Sequence, residues 1–456
     1  MSILRYTGHP FIDVGVATLT AMSKKNRPED VGYAELEAAA EYLKDVYSRI
    51  PKVQNQLNTV FQGSHFTQPA KSLSDRLAYS DRLMFGFRAE RETISGVACT
   101  FFPELPAYLY AHRQYFPLLN GIGLLNFLPP GCDGVPISGV GLLAIHALPM
   151  GCLKCGNYLA IHQIRTGQNR EPDMTLLLAN QALDQNYKTI QMMRVDATVE
   201  FPSHKYVRTR YVEAMVRAAQ TAAKRRLHPR NLTGYYFTNF ANKADLEIVR
   251  LDNALIDFIF AAEQDAGQAW SRVVAAGWQI PKEPKSEEAT SDDKTTWRNN
   301  LYEALFGLPQ NSRQFVWKLS SARDWLLIEI FLRKVMLMEQ ERIDTYRTLG
   351  DRLIQYMDAY EGDSLGFYYQ VSRAQDYSSF RRVLRSAAER MAKAGEHQPL
   401  FTYDEFVYAF EDPVEGSRQW RLGRDLIAIR LLELLHKRNI DLSSLALDEE
   451  ERTDGS

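Results

Sequence analysis

The sequence predicts an α+β protein in which a mixed N-terminal body of β-hairpins and helices is followed by a C-terminal helical bundle. Two changes of texture carry that prediction. Over residues 1–280, short β-like runs such as Gly139 to Ala147 and Gly234 to Asn239 alternate with helical stretches such as Tyr33 to Arg49. In the last of these, Leu36, Ala40, Leu43 and Tyr47 fall on one face. From Thr296 the pattern is helical: Ser320 to Tyr346 carries apolar residues at Leu326, Ile330, Val335 and Met338, and Leu422 to Lys437 repeats the spacing at Leu422, Leu426, Ile429, Leu432 and Leu435.

Between the two parts, residues 281–296 (PKEPKSEEATSDDKTT) hold two prolines, clustered charge and almost nothing to bury, so a flexible linker is expected there. The bundle is expected over 297–445, and 446–456 reads as an acidic disordered tail. At 456 residues the chain exceeds one ordinary core, and about two to four domains are expected.

Composition excludes several classes. With 54 Lys and Arg against 56 Asp and Glu, no global field advertises a nucleic-acid partner, so any such binding rests on local patches. No apolar run reaches about 18 residues and the start lacks a signal-peptide pattern, so no membrane partner is expected and the location reads as cytoplasmic. There is no phosphate-cradling GxxxxGK[ST] loop, no HExxH pair and no GxSxG elbow, so no catalytic residue is assigned. The nine histidines are scattered without metal-ligand spacing and read as structural.

Three stretches carry candidate chemistry. Asn120 to Gly156 combines glycines at 121, 123, 131, 134, 139 and 141 with Asn120, Asn126 and a CxxC at Cys152 and Cys155. It fits either backbone packed closely against a ligand or a glycine-rich hairpin region. Cys152 and Cys155 read as reduced thiols, or as half of a structural zinc site completed by Cys99 and Cys132.

The second stretch, His204 to Arg230, holds eight Lys or Arg residues (Lys205, Arg208, Arg210, Arg217, Lys224, Arg225, Arg226 and Arg230) against one acid, Glu213. A helix would set Arg210, Arg217 and Lys224 in one stripe, with Val207, Tyr211, Met215 and Ala218 on a neighbouring face. Such a stripe suits a phosphate backbone or is a solvated face. Weaker stripes follow at Arg373, Arg381, Arg382, Arg385, Arg390 and Lys393, and at Arg418, Arg421 and Arg424.

The third stretch, Pro51 to Lys71, interleaves Gln54, Asn55, Gln56 and Asn58 with Phe61 and Phe66. It reads as a polar loop, or as one whose amides inspect base edges while its aromatics wedge into a duplex.

Tyr6-Thr-Gly-His-Pro-Phe-Ile-Asp-Val-Gly15, then Pro117-Leu-Leu-Asn-Gly with Asn126-Phe and Pro129, then Cys152-Leu-Lys-Cys155-Gly together resemble the CXXC-CXXC group of CRISPR-associated proteins, the large subunits of type I-B Cascade. The chain departs from the name-giving pattern in keeping one intact CxxC: Cys99 is followed three residues on by Phe102, and Cys132 has no close partner. The resemblance implies a non-enzymatic subunit near the CRISPR RNA 5′ handle. It would recognise the motif flanking the target (the PAM), bind double-stranded DNA and promote R-loop formation beside the backbone, handle-binding and small subunits of the complex.

It further implies a C-terminal bundle similar to the small subunit, with Met336 and Met338 as candidate internal starts inside the helix expected from Ser320. The downstream partner would be a helicase-nuclease or, in a Tn7-like transposon, a transposition target-selector protein. A scaffold with a zinc-stabilised domain and no DNA contact is the reading of a different class. On the resemblance, backbone binding falls to the His204 to Arg230 cations with Arg381, Arg382 and Arg385, and flank recognition to Asn120 and Asn126 or to Gln54, Asn55, Gln56 and Asn58.

Overall fold

A computed structural model of the protein describes residues 3–119, 134–164, 173–202, 204–222, 229–240, 244–279, 297–411 and 420–440. The chain divides into two compact units, one comprising Met1–Ile256 with Gln279–Arg298 and the other Asp257–Trp278 with Asn299–Ser456. Residues 257–278, read from sequence as the end of the N-terminal body, thus belong to the helical unit. The expected linker at 281–296 and tail at 446–456 lie outside the described residues.

The first unit is α+β, as expected. Its elements are α1 (Pro10–Met22), α2 (Tyr33–Arg49), α3 (Pro51–Leu57), α4 (Leu73–Met84), β1 (Leu109–Ala111), β2 (Val135–Ile137) and α5 (Gly139–Ala147). There follow β3 (Leu153–Cys155), β4 (Asn157–Gln163), α6 (Met174–Val195), α7 (Val207–Ala222), β5 (Leu232–Thr238) and β6 (Asp245–Arg250). Strands β1 and β2 pair alone; β3-β4-β5-β6 form an antiparallel sheet in that order.

Helix α1 is the centre of this unit. It is buried from Phe11 to Thr20 and packs on α5, α6 and β4. His9 caps its N-terminus and Pro10, whose missing N–H costs nothing in a first turn, opens it. In that turn the buried Asp13 carboxylate accepts the Thr7 N–H at 2.6 Å, the Thr7 hydroxyl at 2.8 Å and the Gly8 N–H at 2.9 Å, and lies 3.2 Å from His162 Nε2 on β4. The approach to the helix and its first turn therefore inherit their position from one side chain. The helix-wide burial also requires close backbone approach: a Cβ on Gly15 would fall 2.0 Å from the Ala144 carbonyl oxygen of α5.

Alternation along the strands fixes the two faces of the sheet. Tyr235 and Phe237 point to α1, where the Phe11 and Phe237 rings lie 4.5 Å apart. Gly234 points the other way, to Tyr211 of α7. Helix α2 spans Tyr33–Arg49 as the periodicity predicts, with Leu36, Ala40, Leu43 and Tyr47 buried.

Gly139–Ala147, expected to be β-like, is instead α5, capped by Ser138, whose hydroxyl accepts the Gly141 N–H. All nine of its residues are buried, so it has no polar face to register a period. A Cβ on Gly139 would meet the Gly86 backbone at 2.0 Å, which explains a glycine inside a helix.

The second unit is helical: most of α8 (Asn253–Asp265), then α9 (Gly267–Ala276), α10 (Asn300–Ala304), α11 (Ser312–Ser320), α12 (Trp325–Lys334), α13 (Gln340–Tyr360), α14 (Ser364–Ser372), α15 (Tyr377–Lys393), α16 (Tyr403–Phe410) and α17 (Trp420–Lys437). Phe258 packs edge-on against Trp270, Phe315 and Phe331, and α13 lies along α17.

The segment Ser320 to Tyr346, expected as one helix, is broken twice. Asp324 accepts the Leu326 N–H at 2.9 Å and restarts the chain as α12. After Lys334 the chain turns through Leu337, which adopts a φ of 52° and is 79% exposed. Met336 and Met338 therefore sit between helices. Among the described residues no helix is long and apolar enough to cross a membrane.

Gly15→Ala is expected to destabilise the first unit by about 1–3 kcal/mol through forced overpacking against α5. Gly267→Ala, where a Cβ meets nothing within 4 Å, is the neutral comparison. Denaturant melts of both variants check this; equal midpoints would show that α1 and α5 separate at no cost.

Candidate nucleic-acid interface

Helix α7 forms where the basic stretch predicts it, but its cations divide. Tyr211, Met215 and Ala218 are buried, as the expected apolar face requires, and so are Val212, Ala214 and Ala219. Arg210 is buried as well, at 5% exposure, paired with Glu213 and donating to Gln185 Oε1 at 3.0 Å. Arg217 pairs with the same Glu213 at 2.6 Å. The single acid of the stretch thus pairs with two of the three cations expected to form a stripe, and the expectation that Arg210 offers itself to phosphate is corrected by its burial. Lys205, Arg208 and Arg230 are exposed. Lys224, Arg225 and Arg226 lie outside the described residues.

The amide cluster is likewise rearranged. Its first half is helix α3 rather than a loop, because Pro51 opens a first turn and Val53, Gln54 and Leu57 face inward. Gln54 donates Nε2–H to the Ser48 carbonyl at 2.9 Å, so its amide is spent internally. Asn55 is exposed, and Gln56 and Asn58 are half-buried. Phe61 and Phe66 are fully buried, Phe61 stacked on His146 at 4.5 Å, and neither is a wedge. Asn120 and Asn126 lie outside the described residues.

The cysteines do not converge. Strand alternation sends Cys155 towards Arg210 and Glu213 on the α7 side, whereas Cys152 lies beside Tyr47 and Tyr158 in the core. Cys152 sits in the bend before β3 and Cys155 ends that strand, so the two thiols have different neighbours. Cys99 accepts the Phe102 N–H in a turn of its own, and Cys132 lies outside the described residues. Among the described residues no three His, Cys, Asp or Glu side chains gather as a metal needs. Burial pushes the Cys152 and Cys155 thiols up to about 12.

Between these cysteines the sequence hid a buried cation. Lys154 sits on the core face of β3, its ammonium 3.5 Å from the Tyr158 ring centre and donating to the Pro149 carbonyl at 2.8 Å. Burial pulls its pKa down to about 7, with the neighbouring Cys152 and Cys155 opposing weakly. The one available signal was a lysine at the core parity of an otherwise apolar strand.

Two of the histidines are packed into the core of the first unit. Burial lowers His9 and His146 to about 4, and both lie against aromatic rings.

Helix α15 is where exposed cations collect. Asp376 caps it, accepting the Ser379 N–H at 2.8 Å, and Phe380, Leu384 and Ala387 are buried. At about 100° per residue, Arg381, Arg385, Arg382 and Lys393 fall within about 120° of the circumference, opposite that apolar edge, along roughly 18 Å of axis. Arg381, Arg382 and Arg385 are exposed, and Lys393 is exposed with them. Arg385 is shared with Glu389 at 2.9 Å, but Arg381, Arg382 and Lys393 enter no ion pair among the described residues.

Arg390 turns aside to Glu361 at 2.6 Å. Arg373 extends the cationic surface from the end of α14, stacked over Tyr369 at 4.3 Å, a pairing legible only as an i,i+4 spacing. On α17, Arg424 is buried against Asp425 and the Ala374 carbonyl, which removes it from the third expected stripe; Arg418 lies outside the described residues.

Comparison with protein-family models, curated proteins and solved structures found no match to this chain.

Two outcomes are expected. Arg210→Glu should destabilise the fold by about 3–5 kcal/mol, because it leaves Glu213 facing a second buried acid, so any loss of DNA binding will track unfolding. Circular dichroism alongside binding separates the two, and a folded variant with selectively weakened binding would contradict the burial.

For Lys154, the unfolded chain keeps its proton up to about 10.5 while the folded chain releases it near 7. Stability therefore rises with pH from about 7. Above about 9 the two thiols, ionising only in the unfolded chain, act in the opposite sense. Denaturant midpoints across this range should show the rise, and Lys154→Met should abolish it.

Proposed function

We propose that this chain is a non-catalytic large subunit of an RNA-guided Cascade complex, which binds target DNA through its backbone, recognises the flanking motif and promotes R-loop formation. The observation that carries the reading is the uncommitted cationic face of α15. In a chain of net charge −2, three exposed cations gathered on one helix face without an ion-pair partner among the described residues mark a surface suited to a polyanion.

Support also comes from the N-terminal signature and from the order of an α+β unit before a helical one. Met336 and Met338, lying between α12 and α13, would start a separate product that keeps α13 to α17 whole. Phosphate binding falls to Arg381, Arg382, Arg385 and Lys393, with Lys205, Arg208 and Arg230 as a further group. Flank recognition falls to Asn120 and Asn126, or to Asn55, Gln56 and Asn58.

The deciding experiment is a binding selection on duplexes with randomised bases beside a guide-matched target, using the co-expressed complex with and without this chain. A flank preference that appears only with the chain supports the reading; the same preference without it makes the chain a scaffold or recruitment factor.

At the residue level, reversing Arg381, Arg382 and Arg385 to Glu should weaken DNA binding on every sequence. The slope of log affinity against log salt should become shallower by about 0.9 for each duplex phosphate that the variant no longer neutralises. A slope unchanged in the folded variant would remove α15 from the interface.

A further inference from the structure

The four-stranded sheet of the first unit ends differently on its two sides. Strand β3 is buried throughout, whereas β6 is exposed at every residue except Val249. Among the described residues the only strand paired with β6 is β5, so the outer row of backbone N–H and C=O groups on β6 has no ladder partner there. Edge strands are ordinarily blunted by charged side chains, lysine above all, or by proline, a bulge or a covering element, and β6 carries Asp245, Glu247 and Arg250. Residues 245–250 hold no lysine or proline, and the register with β5 runs without a bulge from Thr233–Arg250 to Thr238–Asp245.

The side chains of β6 separate by face. Leu246 and Ile248 stand opposite Phe237 and Tyr235, on the α1 side of the sheet, yet are 41% and 61% exposed. Asp245 and Glu247 stand on the other face, are exposed, and enter no ion pair among the described residues. The edge thus offers Leu246 and Ile248, followed by the exposed Arg250, on one side and the acidic Asp245 and Glu247 on the other, and between them a backbone in which the Leu246 N–H donates to Asp245 Oδ1 at 2.9 Å.

We propose that β6 receives an extended segment of a partner protein as a fifth strand, and that this segment alternates apolar residues, laid beside Leu246 and Ile248, with Lys or Arg laid beside Asp245 and Glu247. Main-chain hydrogen bonds supply the attachment and the alternation supplies selectivity, as in other strand additions. Charge argues against one self-pairing of a second copy, and the dimerisation arm of the test addresses the others. In the antiparallel register that sets Leu246 of one copy opposite Ile248 of the other, Glu247 faces Glu247, and like charges directly opposite destabilise a pair.

The test uses the full chain and three labelled synthetic peptides of roughly strand length: alternating valine and lysine, alternating valine and glutamate, and the valine–lysine peptide with a central proline. Fluorescence anisotropy should show the first bound on the order of tenfold tighter than the other two. The bound peptide should also slow amide exchange over 245–250.

Glu247→Lys should move the preference towards the valine–glutamate peptide. Because Glu247 is exposed and unpaired among the described residues, this variant keeps the fold, which circular dichroism verifies. Equal binding of all three peptides, binding that survives the proline, or no binding would overturn the proposal. So would concentration-dependent dimerisation abolished by Ile248→Asp, which would assign the edge to a second copy.

Discussion

The first unit depends on a single buried carboxylate. Asp13 gathers two backbone N–H groups and a hydroxyl from the approach to α1 and meets a histidine from the middle of the sheet. A carboxylate taken out of water is tolerable only when its oxygens are satisfied, and four partners at hydrogen-bond distance meet that condition. In return the approach loop, the first turn of α1 and β4 are held in one register. Because α1 is then enclosed by α5, α6 and β4, the glycines where these elements touch it become obligatory, and the density of small residues in this half of the chain follows from that enclosure.

The second principle is how cations are committed. Nearly equal numbers of acids and bases allow many arginines to be paired locally, and the distribution of a few acids decides which remain available. Glu213 serves Arg210 and Arg217, Glu361 serves Arg390, and Asp425 serves Arg424 and Arg313. Where acids are sparse, on the outer face of α15, charge is left over. A basic run in a sequence and a basic surface on a fold are therefore different things, and the difference is settled by tertiary neighbours.

This explains which features were legible beforehand. Helix α2 was readable to the residue because one face is wet and the other dry. Helix α5 was not, since a segment buried all round carries no period. The spacing of Arg210 and Arg217 correctly placed them on one side of a helix, but which side turns inward depends on Gln185 and Glu213. The break before α12 was announced only by Asp324, a single capping residue within an otherwise continuous apolar pattern. The CxxC was visible as a motif, whereas the divergence of its thiols depends on how Cys152 packs into the core before β3 and Cys155 beside α7 at the end of it.

Cysteine placement gives the molecule a built-in clock. Every cysteine of the chain lies within the first 155 residues, and the three described ones are buried, two of them with thiols held far from ionisation at neutral pH. Because the thiolate is the reactive form, an alkylating reagent has to wait for these sites to open. Labelling of Cys99, Cys152 and Cys155 would then be timed by excursions of the α+β unit alone, and the helical unit, having no cysteine, would remain silent in the same tube.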